Sequence, residues 1–431
     1  MSIVNVKKYS LPQQTHIGPV KGILALGCGC FLTYSKDSNL LHLWSATGEL
    51  LTVLAGHSHA VKGIKALADG RFFSWSAVGT LRLWSADGEP LAVLEGHRSV
   101  NNLQELVDGR FLSWGGEEDG SLRLWSAAGE PLAVIGESSW GISGVLRLAG
   151  GRFLVWYGND PNLRLWSAAG ELLSVFEGHT AKIKNVRALA NGRILSWSFD
   201  KTLRLWLADG QSMAKCSVPD LVEDVLVLAD GRILSWGFSE SDLRLWSADG
   251  EALAVLKGHR FMVDGATELN DGRILSWSSD NTLRLWSAAG IPLAVLEGHT
   301  GSVQDALELA DGRFVSWSRD NTQRLWSAGG HALGEISEAE AARLRYANQS
   351  TQGEDVPPVV WQIAGNVLVG RSTVTGERLC QFVADNAIKH MAHSENAVVI
   401  ADGAHENGGL YFLRPNAVLL NSMTKRSARQ A

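Results

Sequence analysis

Apolar residues along the chain gather in short runs with strand-like spacing, separated by turn residues. The clearest stretch is Gly298 to Gly330, GHTGSVQDALELADGRFVSWSRDNTQRLWSAGG. Within it, Val315 to Ser318 and Gln323 to Trp326 are alternating or continuous apolar runs, which predicts strands rather than a helix. Ala310-Asp311-Gly312-Arg313 predicts a tight hairpin turn, because Asp-Gly readily takes the positive φ such turns need. Ala328-Gly329-Gly330 predicts the next turn. The unit therefore reads as four strands: a after the Gly-His, b (FVSWS), c (QRLW) and d (as in PLAVLEGH). The almost unbroken hydrophobicity of strand b predicts burial on both faces.

This unit recurs. Leu-Trp stands at Trp44, Trp84, Trp125, Trp166, Trp206, Trp246, Trp286 and Trp326, at intervals of 40 or 41 residues. A fixed period in this range marks an array of supersecondary units, and four-stranded units of this length repeat radially in β-propellers. The density of turns excludes a helical solenoid. The expected fold is all-β: one propeller of four-stranded antiparallel blades, eight clear and two degenerate, so nine or ten blades, with eight as the alternative.

Gly-His, then Ser-x-Ser-x-Asp, then Leu-Trp resembles the signature of the WD-repeat (β-transducin-like) family, and the near-identity of the copies resembles its bacterial members. The resemblance implies a hydrogen-bonded tetrad of His, Ser/Thr, Asp and Trp that locks strands a, b and c together. By position the candidates are His16/Thr33/Asp37/Trp44, His179/Ser196/Asp200/Trp206, His259/Ser276/Asp280/Trp286 and His299/Ser316/Asp320/Trp326, each with 17 residues from His to Ser/Thr. The pattern also lapses. Ser follows the strand-c Trp in seven copies and Leu207 in the fifth, where the family has Asp. Val78 replaces the tetrad Asp of blade two, and blades four and six lack Gly-His. A Ser-His-Asp grouping also suits a hydrolase, but a triad would occur once and open onto a pocket. Repetition beside a Trp is the mark of a structural network, so no catalytic residue is expected. A second Trp series on strand b, from Trp75 to Trp317, reads as filler between blades.

Beyond Trp326 the repeat decays. The expected divisions are a closing strand in 1–10, eight repeats in 11–336, a helix and loop in 337–358, two degenerate blades in 359–415, and a tail in 416–431. Ser337 with Glu340 resembles a capping box, which predicts a helix from Glu338 to Ala347. Ile3 to Tyr9 is the expected closing strand.

Charge and composition narrow the function. With a net charge of -6 over 431 residues, a nucleic-acid or anionic-lipid footprint is not expected. No apolar stretch reaches a membrane span and no signal peptide opens the chain, so a cytoplasmic protein is expected. Cys28 and Cys30 lack partners at zinc spacing, and Cys216 and Cys380 stand alone; no metal or cofactor is expected.

The copies can also be compared with one another. The a–b turn (ADGR, NDGR) and the c–d turn (SAAG, SADG) barely vary, whereas the b–c and d–a loops vary widely. In WD-repeat proteins those variable loops share one face. On them stand Trp140, Tyr157, Phe199, Phe238, Phe261 and Met262, in blades four to seven, with Glu117, Glu118, Asp160, Asp220 and Glu240 as an expected acidic rim. Aromatic and Met side chains dominate protein interfaces, so this arc is the expected docking site for one or more protein partners. The expected role is a non-catalytic interaction scaffold, possible as a subunit of a bacterial signalling or defence assembly. The alternatives are a propeller hydrolase or lyase using the central channel, and a small-ligand or glycan binder.

Overall fold

A computed structural model of the chain describes residues 5–10, 19–106, 108–116, 119–136, 138, 140–337, 340, 341, 344, 359–364, 367–372, 378–383, 388–393, 398–402 and 409–414. Each Leu-Trp unit forms one four-stranded antiparallel sheet with its strands in sequence order. In blade eight these are Val303–Glu308, Phe314–Ser318, Gln323–Trp326 and Ala332–Ile336, strands a to d. Among the described residues there are nine four-stranded sheets and one of three strands.

The chain divides into two compact units, 1–142 with 357–431, and 143–356. In the first, blades one to three are joined by the two C-terminal sheets. Ile388–His393, Val398–Asp402 and Gly409–Arg414 form the last sheet. Its fourth strand comes from the other end of the chain: Asn5–Ser10 runs antiparallel to Gly409–Arg414, with Asn5 opposite Arg414 and Ser10 opposite Gly409. Val399 of this sheet packs with Val20, Phe31 and Trp44 of blade one. On its other side, Leu368 of the three-stranded sheet packs with Ile388, Val398, Ile400 and Leu413.

In the second unit one packing recipe repeats between neighbours. Leu195, Trp197, Leu203 and Leu205 of blade five meet Val222, Val225, Ile233 and Trp246 of blade six. Blade seven presents the equivalent Leu275, Trp277, Leu283 and Leu285 to Val303, Phe314 and Trp326 of blade eight. Strand b of blades five and seven is buried along its whole length because both of its faces lie in such layers, and burial of apolar area is what holds one blade to the next. The strand-b tryptophans belong to this filling. Gly265 on strand a leaves room for one of them: a Cβ there would come within 2.4 Å of the Trp277 ring.

Blade eight ends the second unit differently. Its Leu309 and Val315, with Trp317 and Leu325, are covered by Ala341 and Leu344. Glu340, Ala341 and Leu344 are helical, and the Glu340 N–H donates to Ser337 Oγ at 3.2 Å, one half of the expected capping box. The remainder of the expected helix from Glu338 to Ala347 lies outside the described residues, as does the loop that follows it.

The invariance of the turns has a physical cause. In blade seven, Asp271 accepts from the Arg273 N–H at 3.1 Å and from its Nε at 2.7 Å, which aims the guanidinium sideways. Arg273 Nη1 then donates to the Ala328 carbonyl, in the c–d turn of the next blade, at 2.7 Å. Arg71 reaches Ala127 at 2.6 Å and Arg193 reaches Ala248 at 3.1 Å in the same way. A second bond in the same direction runs from the Asn270 N–H to Glu308, at 2.7 Å. Asp-Gly-Arg is thus a latch between blades as well as a turn.

Candidate functional site

The loop end of several blades rests on the tetrad. In blade five, Trp206 Nε1 donates to Ser196 Oγ at 2.9 Å, Ser196 lies 2.8 Å from His179 Nε2, and His179 Nδ1 lies 2.9 Å from Asp200. Burial pushes the His179 imidazole below its ordinary range, and this outweighs the attraction of Asp200. Burial would raise Asp200, but the Thr202 hydroxyl, the Thr180 N–H and His179 hold it below the usual carboxylate range. A neutral His and an ionised Asp fix the direction of every bond: Trp N–H to Ser, Ser O–H to Nε2, and Nδ1–H to the carboxylate. The Asp also accepts the Thr180 N–H at 2.9 Å, so the d–a and b–c loops are tied together at their bases.

Blades seven and eight assemble the same network through His259, Ser276, Asp280 and Trp286, and through His299, Ser316, Asp320 and Trp326. Blade three has it too, through His97, Ser113, Asp119 and Trp125. The spacing rule misses this copy, because only 16 residues separate His97 from Ser113 and the loop to Asp119 is longer. In blade two, Thr80 faces His57 Nδ1 at 3.2 Å, where Val78 supplies no carboxylate. Blade one keeps the Trp44 to Thr33 bond at 2.8 Å. Asp37 is exposed there rather than drawn into the layer, and His16 lies outside the described residues. Ser196, Ser276 and Ser316 are fully buried beneath their tryptophans, so none offers a nucleophile to a substrate.

The variable positions lie beside these anchors. Phe199 and Phe238 directly follow strand b; their N–H groups donate to Lys182 O at 3.0 Å and Leu221 O at 2.9 Å. Ser279 and Arg319 have the same backbone bond, to Met262 O at 3.1 Å and Ser302 O at 2.9 Å. One backbone position thus carries Phe, Phe, Ser and Arg in successive blades, always projecting from the loop. Phe199 is 44% exposed, Phe238 56% and Phe261 64%. Met262 is half-buried, and its carbonyl is held by Ser278 Oγ at 2.8 Å. Between the loops of blades six and seven, Ser239, Ser241, Arg260, Phe261, Met262 and Ser279 line a shallow hollow of about 550 Å³. In the first unit, Trp140 is also exposed.

Tyr157 is a correction. It is 1% exposed, under the guanidinium of Arg164, whose carbon stands 5.2 Å from the ring centre. Tyr157 is the last residue of strand b and aligns with Ser198 and Ser278, which point inward, and not with Phe199. A shift of one residue on a strand exchanges the two faces. The acidic rim is also spent within the fold. Asp160 pairs with Arg164 at 2.5 Å and Glu240 with Arg244 at 3.4 Å, while Asp220 accepts the Ser239 N–H at 2.8 Å. Glu117 and Glu118 lie outside the described residues. Beside the aromatics stand cations instead: Lys182 Nζ sits 6.0 Å from the Phe199 ring centre, and Arg260 borders the hollow.

One apolar surface was not anticipated. Strand d exposes Leu91 and Val93 in blade two, and Leu132 with Val134, Leu253 with Val255 and Leu293 with Val295 at the equivalent places. The alternation in PLAVL carries that signal, since every second residue of an edge strand faces away from the layer. Among the described residues no group of three or more His, Cys, Asp or Glu could hold a metal ion, and no helix is long and apolar enough to cross a membrane.

Four-stranded blades, each closed by a buried Trp and several by a His–Ser–Asp network, define propeller architecture. Residues 88–126 and 170–206 match the family model of the WD domain, G-beta repeat. No curated protein matches the sequence. Among solved structures, it is similar to the computationally designed Ika8 protein, at 18% identity over 84% of this chain and 98% of that one, with a TM-score of 0.44. It is similar also to the WD40 beta propeller domain of Doa1, at 20% identity over 76% of this chain and 97% of that one, with a TM-score of 0.36.

Proposed function

We propose that this chain holds another protein at the loop end of blades five to seven, with Phe199, Phe238 and Phe261 as the anchoring side chains. WD-repeat propellers serve as protein-interaction or scaffold modules, which supports the class of function. The observation that carries the site is the contrast between repeated and unrepeated exposed apolar groups. Leu-x-Val on strand d recurs from blade to blade, as an architectural feature does. Phe199 and Phe238 stand on a backbone position that is held alike in four blades and is aromatic in two, and Phe261 adds an unrepeated ring from the adjoining d–a loop. Large rings fixed on rigid loops bury much area at little entropic cost, which is how hot spots are built.

Lys182 and Arg260 beside the rings favour a partner surface that is apolar with some negative charge. This replaces the somewhat basic partner surface that the expected acidic rim would suit. The near-identity of the copies is in keeping with a subunit of a bacterial signalling or defence assembly. Photo-crosslinkers placed at position 238, at 261 and, on the turn end, at 230 test the site in native lysate. The same partner should be captured from 238 and 261 and not from 230. Capture from 230 alone would move the site to the other end of the blades.

A further inference from the structure

In the a–b turns the first and third side chains meet. The Arg N–H donates to the Asp carboxylate at 3.0 Å in Asp69-Gly70-Arg71 and at 3.1 Å in Asp311-Gly312-Arg313. The Arg Nε returns to the same Asp at 2.6 Å and 2.8 Å. Blade one makes the same turn from Cys28-Gly29-Cys30. Leu26 N donates to Cys30 O at 2.9 Å and Gly29 N to Leu26 O at 2.9 Å, the two bonds that Leu309, Arg313 and Gly312 make in blade eight. Gly29 has φ +79, against +81 at Gly312. The first-to-third bond survives as well, with Cys30 N–H donating to Cys28 Sγ at 3.4 Å. A latch position has therefore been filled by two thiols that the turn holds side by side.

We propose that Cys28 and Cys30 form a reversible dithiol/disulfide site that exchanges electrons with a low-molecular-weight disulfide. Cys28 is exposed and is the attacking sulfur; Cys30 is half-buried against the core of blade one and is the resolving sulfur. The Cys28 thiolate attacks one sulfur of the small disulfide, forms a mixed disulfide and releases one thiolate. The Cys30 thiolate then attacks Cys28 Sγ, closes the Cys28–Cys30 bond and releases the second. The protein loses two hydrogens and two electrons; the small disulfide becomes two thiols. Burial, then the Cys28 thiol beside it and the Asp87 carboxylate, push the Cys30 thiol up to about 12. Burial still acts on Cys30 once Cys28 is a mixed disulfide, so closure should gain rate above the ordinary thiol range.

The reduced full-length chain, incubated in glutathione buffers of graded ratio, tests this by intact mass and peptide mapping. The wild type should lose two hydrogens, with the link mapped between 28 and 30, and dithiothreitol should restore them. Cys30→Ser should stop at a glutathione adduct on Cys28. Cys28→Asp/Cys30→Arg, which installs the turn of the other blades, should fold and show neither product. The rate of closure should still be rising above about pH 8.5, the ordinary thiol value. A stable Cys28 adduct in the wild type, no reaction at either thiol, or a closure rate that levels off at the ordinary thiol value would overturn the proposal.

Discussion

The two ends of a blade differ in what their side chains are used for. At the turn end, Arg273 and Glu308 are engaged in bonds that cross to a neighbouring blade, and Asp271 aims Arg273 across from within its own turn. At the loop end the backbone is held as well, but the rings of Phe199 and Phe261 stand exposed beside the anchors. Phe199 precedes Asp200, which is fixed by His179, and Phe261 lies two residues after His259. The tetrad secures the loop bases, and so leaves the adjacent positions free to differ from blade to blade. Repetition at one end and variation at the other thus follow from two different sets of hydrogen bonds, the latch and the tetrad. Blade six, which has no tetrad His, fastens its loop by another route: Asp220 takes the Ser239 N–H.

If that division holds, damage to the anchors should cost stability, and damage to the loop aromatics should cost binding. The largest loss of stability should come from acid. Burial, with a further push from Arg82, takes His57 from its ordinary 6.5 down to about 4, and His97, His179 and His299 are lowered by burial too. Below about pH 6.5 the unfolded chain takes up these protons before the folded one does, so stability is full above that pH and falls toward pH 4. The lowered Asp119 and Asp200 add a further loss below their ordinary 3.8. A melting temperature that stays level from neutral pH to about pH 4 would contradict neutral imidazoles in the tetrads.

A single anchor is worth less. His299→Ala strands Ser316 in a fully buried site and should lower stability by about 1–3 kcal/mol in denaturant titration. Blade four offers the opposite change. Val155 stands where other blades have the tetrad Ser, and Trp166 Nε1 has no acceptor among the described residues. Val155→Thr supplies one, as Thr33 does for Trp44, and should raise stability by about 0.5–1 kcal/mol. A loss instead would mean that the new hydroxyl is worse placed than the methyl it replaces. The smallest effect belongs to the latch: Arg273→Ala should cost less than about 1 kcal/mol, because the Asp271–Arg273 pair is solvent-exposed. Affinity for the partner should be untouched by it.

Much of this architecture is written in local pattern. The Leu-Trp period, the continuous apolar run of strand b and the Asp-Gly turns each correspond to one recurring feature of the blades, because each depends on neighbours close in sequence. What escaped depends on register or on distant partners. Tyr157 reads as a loop residue in the sequence because only one residue separates the last inward position of strand b from the first outward one. The tetrad of blade three was missed because its members converge through a loop of different length. The engagement of Asp160 and Glu240 by Arg164 and Arg244 was hidden because the sequence does not show which way a strand-c arginine turns. The crossing of Arg273 to Ala328 could not be read from a single repeat, since it joins two.

The central claim is that the loop aromatics bind a partner and the repeated layer beneath them does not. Its most direct test is calorimetric titration of the captured partner into the wild type and into Phe238→Ser/Phe261→Ser, with the melting temperature of each recorded beside it. Both rings are exposed and neither belongs to a tetrad. The double variant should therefore melt with the wild type while its affinity falls by at least about 2 kcal/mol, the loss expected of central hot-spot residues. Unchanged affinity at unchanged stability would contradict the account.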